Sequence, residues 1–340
     1  MMGEKITSLD VARLAGVSQS AVSRVFTPGA SASKKTIEKV RRAAAELGYR
    51  PNVLARAMVS GKSRMIGLVV AYLENYFYPE VVEKLSKALQ EQGYHVLIFM
   101  ASQTAENIDD VVEEILDYQV DGIVAASVAM GSELSARCRA AGVPVVLLNR
   151  TQDDERLSAV TSDNVAGGRK VAEYLVAGGH ERIGYIAGWE GASTQRDREF
   201  GLRVGLEMAG KSLYAREVGD FREARAQEAA RRMFAGRDRP DAVFAANDHM
   251  AFVVMDVLRY ELGLSVPGDV SVIGYDDVPI AAWPAYDLTT VRQSATRMVA
   301  ETVSILMDLI ENPSADPRRI AIDAPFKERG SARKPGRQGQ

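Results

Sequence analysis

At 340 residues, with 46% apolar and 26% charged side chains, the chain is long enough to bury a large core and has room for about two or three domains. No apolar run reaches the ~18 residues of a membrane span and no charged-then-apolar leader opens the chain, so the expectation is a cytoplasmic protein without membrane contact. The lone Cys138 forbids an internal disulfide, and His95, His180 and His249 are scattered without ligand spacing, so no metal or other cofactor is expected.

The formal net charge of −3 hides an asymmetry. Residues 1–64 hold 12 Lys or Arg against 4 Asp or Glu, whereas the remaining 276 hold 30 against 41. A small basic module on an acidic body suits contact with nucleic acid, where phosphate neutralisation drives binding; a solvated basic face is the alternative.

Within that module, TSLDVARLAGVSQSAVSRV at 7–25 describes two short helices and a tight turn. Thr7 and Asp10 form a capping-box pair ahead of Val11, Ala12 and Ala15. Gly16 ends the first helix, and Ser18 caps a second whose Val22 and Val25 fall on one face. This is a helix-turn-helix, whose outer face carries Gln19, Ser20, Ser23 and Arg24, all able to hydrogen-bond base edges or phosphates. An ordinary helical hairpin with a wet face is the competing reading. Ser33 then caps a third helix over 34–47, with Ile37, Val40, Ala44 and Leu47 in one stripe and Gly48 at its end. The following RPNVLARAMVSGKS starts a helix at its proline and runs only to Gly61, too short to stand without a partner surface.

From Met65 the pattern changes to β-rich runs alternating with amphipathic helices: MIGLVVA, YHVLIF, VDGIVAAS and VPVVLLN. Cys138, in a helical pattern with Leu134 and Ala141, reads as a small buried hydrophobe. A second series follows, RIGYIAG, DAVFAAN and DVSVIGYD, with helices near 164–178, 194–209, 222–234 and 247–261. This is α/β architecture with parallel sheets in two similar lobes, whose ligand would lie beyond the carboxyl ends of the strands. The stretches to watch are ENYFYP, NR at 149–150, GWEGASTQRDR, AND at 246–248 and YDD at 275–277. Asp276 can accept from a vicinal diol, Asn247 can donate and accept, and Arg196 offers a planar fork to hydroxyl, carboxylate or phosphate. Phe77, Tyr78 and Phe221 can supply apolar faces to a sugar ring. Other roles stay open: Asp276 capping a short helix, Arg196 pairing with Glu199, Phe77 in the core.

DVARLAGVSQSAVSRV, SKKTIEKVRRAAAELGYRPN, LARAM at 54–58, IGYDD at 273–277 and LTTVRQ at 288–293 resemble the lactose-repressor/galactose-repressor family of bacterial transcription regulators along the full chain. The resemblance implies a three-helix headpiece over 1–49, a hinge helix and linker over 50–63, a two-lobed periplasmic-binding-protein-like core over 64–330, and a flexible tail over 331–340. Chain crossovers between lobes are implied near 162, 291 and 322. It also implies base reading by Gln19, Ser20 and Arg24, with Thr7, Ser18, Ser23, Asn52 and Arg56 as further DNA contacts. Ala55 would permit close approach of two hinge helices, and Met58 would act as a minor-groove wedge where the family usually has leucine. Ser8 departs from the larger apolar residues often found there, which bears on one DNA contact. Asp276, Asn247, Arg196 and Phe221 match the family's cleft aspartate, asparagine, arginine and aromatic; Phe77, Tyr78, Asn149, Arg150, Ser193 and Gln293 complete the candidate effector site.

The expected partners are therefore double-stranded operator DNA, a second copy of the chain and a small effector: a sugar, sugar acid or sugar phosphate. A purine or other metabolite acting as corepressor is the alternative. The first-lobe helices, 77–92 and 105–119, are the expected dimer face, and GSARKPGRQGQ has no leucine heptad for a terminal coiled coil. A nucleotide-dependent dehydrogenase would need a glycine fingerprint after a strand; Gly188 to Gly191 lacks GxGxxG, so no enzyme is expected. A transport receptor would carry a secretion signal in place of the helix-turn-helix.

Overall fold

The computed structural model describes residues 6–26, 30–50, 62–101, 108–128 and 132–336. The hinge residues Asn52, Ala55, Arg56 and Met58 lie outside them. The chain divides into two compact units, Met1–Arg64 and Met65–Gln340.

The first unit holds α1 (Ser8–Ala15), α2 (Gln19–Phe26) and α3 (Lys34–Leu47). Both halves of the Thr7/Asp10 capping box are present, and Gly16 closes α1 at φ 65°, a left-handed conformation that suits glycine. Ser18 Oγ accepts from Ala21 N at 3.2 Å and Ser33 Oγ from Thr36 N at 3.2 Å, so each following helix starts at a side-chain cap. Val11, Ala12, Ala15, Val22, Val40, Ala43 and Ala44 form the core. These are small side chains, which let three short helices approach closely.

The second unit is built on two six-stranded sheets among the described residues. Lobe 1 contains β1 (Met65–Val70), α4 (Phe77–Glu91), β2 (His95–Met100), α5 (Ile108–Asp117), β3 (Gly122–Ala126), α6 (Ser132–Ala140), β4 (Val145–Leu148) and β5 (Ser158–Ser162). Lobe 2 contains α7 (Asn164–Ala177), β6 (Ile183–Ala187), α8 (Ser193–Met208), β7 (Ala215–Val218), α9 (Glu223–Phe234), β8 (Ala242–Ala245), α10 (Asp248–Asp256), β9 (Ser271–Asp276) and β10 (Thr289–Arg292). The chain then returns to lobe 1 with α11 (Ala295–Glu311), which packs on α4, β3, β4 and β5, and with β11 (Arg319–Ile322). It ends in lobe 2 with β12 (Phe326–Lys327). The three crossings fall after Ser162, Arg292 and Ile322.

The sheet orders are β11-β5-β4-β3-β1-β2 and β12-β10-β9-β8-β6-β7, parallel except for the antiparallel β10–β12 pair. Central strands are continuously buried, as parallel strands covered on both faces should be, whereas the edge strand β2 is partly exposed. In each sheet the order reverses at one strand, β1 or β6, and such reversals open a crevice at the carboxyl ends. Cys138 is buried on α6, its thiol pushed up to about 11 by desolvation.

The expected flexible tail begins too early. Ser331 and Ala332 are buried, Ser331 Oγ donates to Val272 O at 2.6 Å and accepts from Thr289 N at 2.8 Å, and Arg333 N donates to Ser271 Oγ at 2.9 Å. The segment follows β12 and satisfies backbone groups beside β9. Its Gly, Ser, Lys and Pro residues carry no periodicity that would reveal this.

Helices α7 and α8 touch backbone to backbone. A Cβ on Gly168 would lie 2.2 Å from Arg198 O, and one on Gly201 would lie 2.1 Å from Val165 O. The obstacle in both cases is backbone, so a side chain must push the helices apart. Gly168→Ala and Gly201→Ala are each expected to destabilise the second unit by roughly 1–3 kcal/mol in equilibrium urea unfolding. An unchanged midpoint would exclude this helix contact in solution.

Candidate effector cleft and nucleic-acid interface

On the headpiece, Thr7, Ser18, Gln19, Ser20, Ser23 and Arg24 are all exposed. Gln19 Nε2 donates to Ser8 Oγ at 2.9 Å, bracing the start of α2 against α1, and Arg24 Nε reaches Ser20 O at 3.4 Å. Ser8 therefore orients Gln19, a role its small size permits.

In the second unit, strand carboxyl ends from both lobes converge. Several residues there hold left-handed backbone conformations despite carrying side chains: Ser127 (φ 58°) after β3, Asn149 (φ 71°) after β4, Phe221 (φ 56°) after β7 and Asp276 (φ 131°) ending β9. Such conformations cost roughly 1–3 kcal/mol each and concentrate where side chains must be aimed at a site. From lobe 1, Asn149 Nδ2 donates to Tyr78 OH at 2.8 Å and to Ser127 Oγ at 3.4 Å, while Tyr78 OH and Ser127 Oγ are themselves in close contact. From lobe 2, the Phe221 ring lies against Gly188, where a Cβ would fall 2.1 Å from its Cζ.

Asp276 is the junction. Its Oδ2 accepts from Asn75 Nδ2 of lobe 1 at 3.0 Å, and its Oδ1 accepts from Gln293 Nε2, at the second crossing, at 2.6 Å. Arg198 Nη2 lies 3.6 Å from Oδ1. That guanidinium sits 3.7 Å from the Tyr275 ring centroid, donates from Nε to Asn164 Oδ1 at 2.8 Å and from Nη1 to Ala246 O at 2.5 Å. A second contact between lobes runs from Thr151 N to Ser193 Oγ at 2.9 Å. Burial raises the Asp276 carboxyl, opposed by Arg198. Burial first, then the Asp276 carboxylate, push Asp248 up to about 8, although Thr290 Oγ1 (2.6 Å) and Val278 N (3.0 Å) both donate to it.

Of the expected effector residues, Phe77, Tyr78, Asn149, Arg150, Ser193, Phe221, Asn247, Asp276 and Gln293 are all buried. Phe77 belongs to the main hydrophobic core, as its alternative reading allowed. Asn247 caps α10, its Oδ1 accepting from Met250 N at 2.9 Å. Among the described residues Asp276 caps no helix. Arg196 is the correction: it is exposed on α8, and Arg198 is the arginine buried beside Asp276. Two residues along a helix turn a side chain through about 200°, so one of the pair must face away. Arg198 stands three residues before Gly201 and seven before Gly205, on the face that α7 covers; that spacing is the signal separating the two arginines. Asn75, Trp189 and Thr151 are further cleft residues that chemistry-by-type did not single out, although Asn75 and Trp189 sit just after the two strands at which the sheet order reverses.

Among the described residues, several buried polar atoms here have no hydrogen-bond partner: Asn149 Oδ1, Arg150 Nε and Nη1, Asn247 Nδ2 and Gln293 Oε1. Donors and acceptors left open in one place suit a ligand that offers both. No cluster of His, Cys, Asp or Glu able to hold a metal occurs among the described residues, and none of their helices is long and apolar enough to cross a membrane.

Comparison with known proteins agrees with this geometry. Residues 7–52 match the model for bacterial regulatory proteins of the lacI family, and residues 172–332 that for a periplasmic binding protein-like domain. The ribose operon repressor of Escherichia coli (strain K12) is 31% identical over 331 residues, covering 96% of this chain and 99% of the relative. The chain belongs to the lacI family. Another family member, the HTH-type transcriptional repressor PurR of Vibrio vulnificus (strain CMCP6), is 30% identical over 331 residues, 96% of this chain and 99% of the relative. Among solved structures, a lac repressor dimer bound to operator and the anti-inducer ONPF aligns with a TM-score of 0.87 at 27% identity, covering 96% of this chain and 99% of that one. A complex of the transcriptional regulator CelR with cellobiose aligns with a TM-score of 0.73 at 31% identity, covering 96% and 100%. As a lacI-family protein, this chain is a DNA-binding transcription regulator and not an enzyme.

The cleft electrostatics give two expected outcomes. Arg198→Met strands the Asp276 charge and should cost roughly 3–5 kcal/mol of stability in chemical unfolding, of which Asp276→Asn in the same chain recovers part; additive losses would exclude coupling. Folded Asp248 keeps a proton that the unfolded chain releases near its ordinary value of 3.8. Its contribution to stability is thus complete below that value and is lost as pH rises through about 8. The melting temperature of the parent relative to Asp248→Asn should accordingly fall across that window, and a difference independent of pH would contradict the raised carboxyl.

Proposed function

We propose that this chain is a cytoplasmic repressor that binds a two-fold-symmetric operator as a homodimer, under the control of a small polyhydroxylated effector held between the lobes. The observation that carries the effector is the set of buried polar atoms without partners at the converging strand ends, on Asn149, Arg150, Asn247 and Gln293. A carboxylate offers about four lone-pair positions, and Asn75 and Gln293 use two at Asp276, so ligand hydroxyls can share that carboxylate or displace its amide partners. Likeness to a ribose operon repressor and to a cellobiose-bound regulator supports a sugar or sugar derivative. The Trp189 ring is already covered by Arg150 at 5.3 Å, which leaves a flat purine one aromatic face fewer.

The exposed Gln19, Ser20, Ser23 and Arg24 are the proposed base- and phosphate-contacting set, and likeness to an operator-bound repressor dimer supports both the DNA and the second copy. A twofold pair of headpieces reads twice the sequence that one can. Effector binding would bias lobe closure, and closure the geometry in which two headpieces are presented; coupling of this kind is typically about 1–3 kcal/mol.

Operator fragments selected from random duplex DNA provide the first test. Removal of residues 1–63 should abolish binding, and Arg24→Ala should weaken it by about 1–3 kcal/mol and relax preference at one position per half-site. Specific binding by the truncated chain would refute the headpiece assignment. For the cleft, a saturating effector, at about 100 times its dissociation constant, should stabilise the protein by about 2.7 kcal/mol, and Asp276→Ala should remove the shift.

A further inference from the structure

Two arginines are buried among the described residues, and they differ in one respect. Arg198 has its countercharge in Asp276 and spends its donors on Asn164 and the Ala246 carbonyl. Among the described residues Arg150, only 4% exposed, is in no ion pair, and its Nε and Nη1 have no acceptor. Its guanidinium lies 5.3 Å from the centroid of the Trp189 ring in the opposite lobe, so it reaches across the cleft. The acidic groups at the end of β9 are engaged by other arginines. Asp277 is held by Arg292 and Arg329, each at 2.5 Å, and Asp276 by Arg198. Next to Arg150, at the end of β4, stands Asn149, an amide without charge whose Oδ1 is itself unpartnered. The cleft therefore offers a hydroxyl-binding carboxylate on one side and an uncompensated, permanently charged donor group on the other. A buried guanidinium without an anion is unfavourable, and an anionic oxygen group is the complement that satisfies both its charge and its donors.

Building on the effector cleft proposed above, we infer that the effector is an anionic polyol, a sugar carrying a carboxylate or phosphate, whose anionic oxygens are bound by Arg150 while its hydroxyls are read by Asp276, Asn247 and Asn149.

The test uses the full chain and matched probes: D-glucose against D-gluconate and D-glucuronate, and D-ribose against ribose 5-phosphate, with cellobiose and hypoxanthine as further uncharged compounds. Thermal melting and calorimetric titration should show the charged member of at least one pair binding about tenfold or more tighter than its neutral parent. Arg150→Gln should erase that margin and Arg150→Lys retain part of it, with unliganded melting of both variants showing that they fold. Response to the acids alone identifies a carboxylate, and to ribose 5-phosphate alone a phosphate. A neutral sugar that binds at least as tightly as every charged partner overturns the anion and leaves the cleft reading standing. No shift with any compound, charged or neutral, overturns both.

Discussion

A carboxylate shut away from water needs compensation, and Asp276, at the end of β9, draws it from three directions. Arg198 supplies charge from α8, Asn75 a donor from lobe 1 and Gln293 a donor from the second crossing. A buried ion pair of this kind adds little to stability in itself, because desolvation offsets most of the attraction, yet removing one partner is severe. That asymmetry keeps Arg198 beside Asp276 within lobe 2, and Asn75 adds a donor to the same carboxylate from lobe 1. Placement of the surrounding elements follows from it.

The glycines of α7 and α8 serve the same end. Arg198 can reach Asn164 and Ala246 because α8 lies on α7 without intervening side chains, and Gly168 and Gly201 allow that approach. The Arg198 main-chain oxygen is itself the atom that a Cβ on Gly168 would strike. Helix packing and charge placement are thus set by one contact. The cleft's other aromatic wall depends on a glycine likewise, Gly188 admitting the Phe221 ring.

What could be read from the sequence was whatever periodicity or a cap encodes. The Thr7/Asp10 box, Gly16, Ser33 and the buried runs of β1, β3, β6 and β9 all involve neighbours in the chain, and each occurs as its local pattern implies. Short strands such as β7, β11 and β12 have too few residues to express an alternation, and Ser331 is held by contacts with Val272 and Thr289, distant in sequence. In the cleft, residue types at strand ends were legible, but which of Arg196 and Arg198 faces inward is a question of helical phase. Phase came from Gly201 and Gly205 on the same helix, residues whose significance depends on α7 packed against them. Asn75 reaches Asp276 across 201 positions, a pairing with no local trace.

The contacts between lobes limit what an effector can do. Asn75–Asp276 and Thr151–Ser193 join the lobes through protein groups alone, so closure has polar support of its own and the ligand contributes only the difference between its interactions and those it displaces. A ligand whose hydroxyls merely replaced the two amides on Asp276 would exchange one set of hydrogen bonds for another of similar strength and shift the equilibrium little, however tightly it bound. Control therefore requires groups that engage only with ligand present. In the proposed cleft, the unpartnered atoms of Arg150, Asn149, Asn247 and Gln293 would be of that kind, and they arise from both lobes and from the crossing between them. A ligand spanning them gains interactions that an open cleft cannot supply together, and that difference is the free energy available for transmission to a DNA-binding unit.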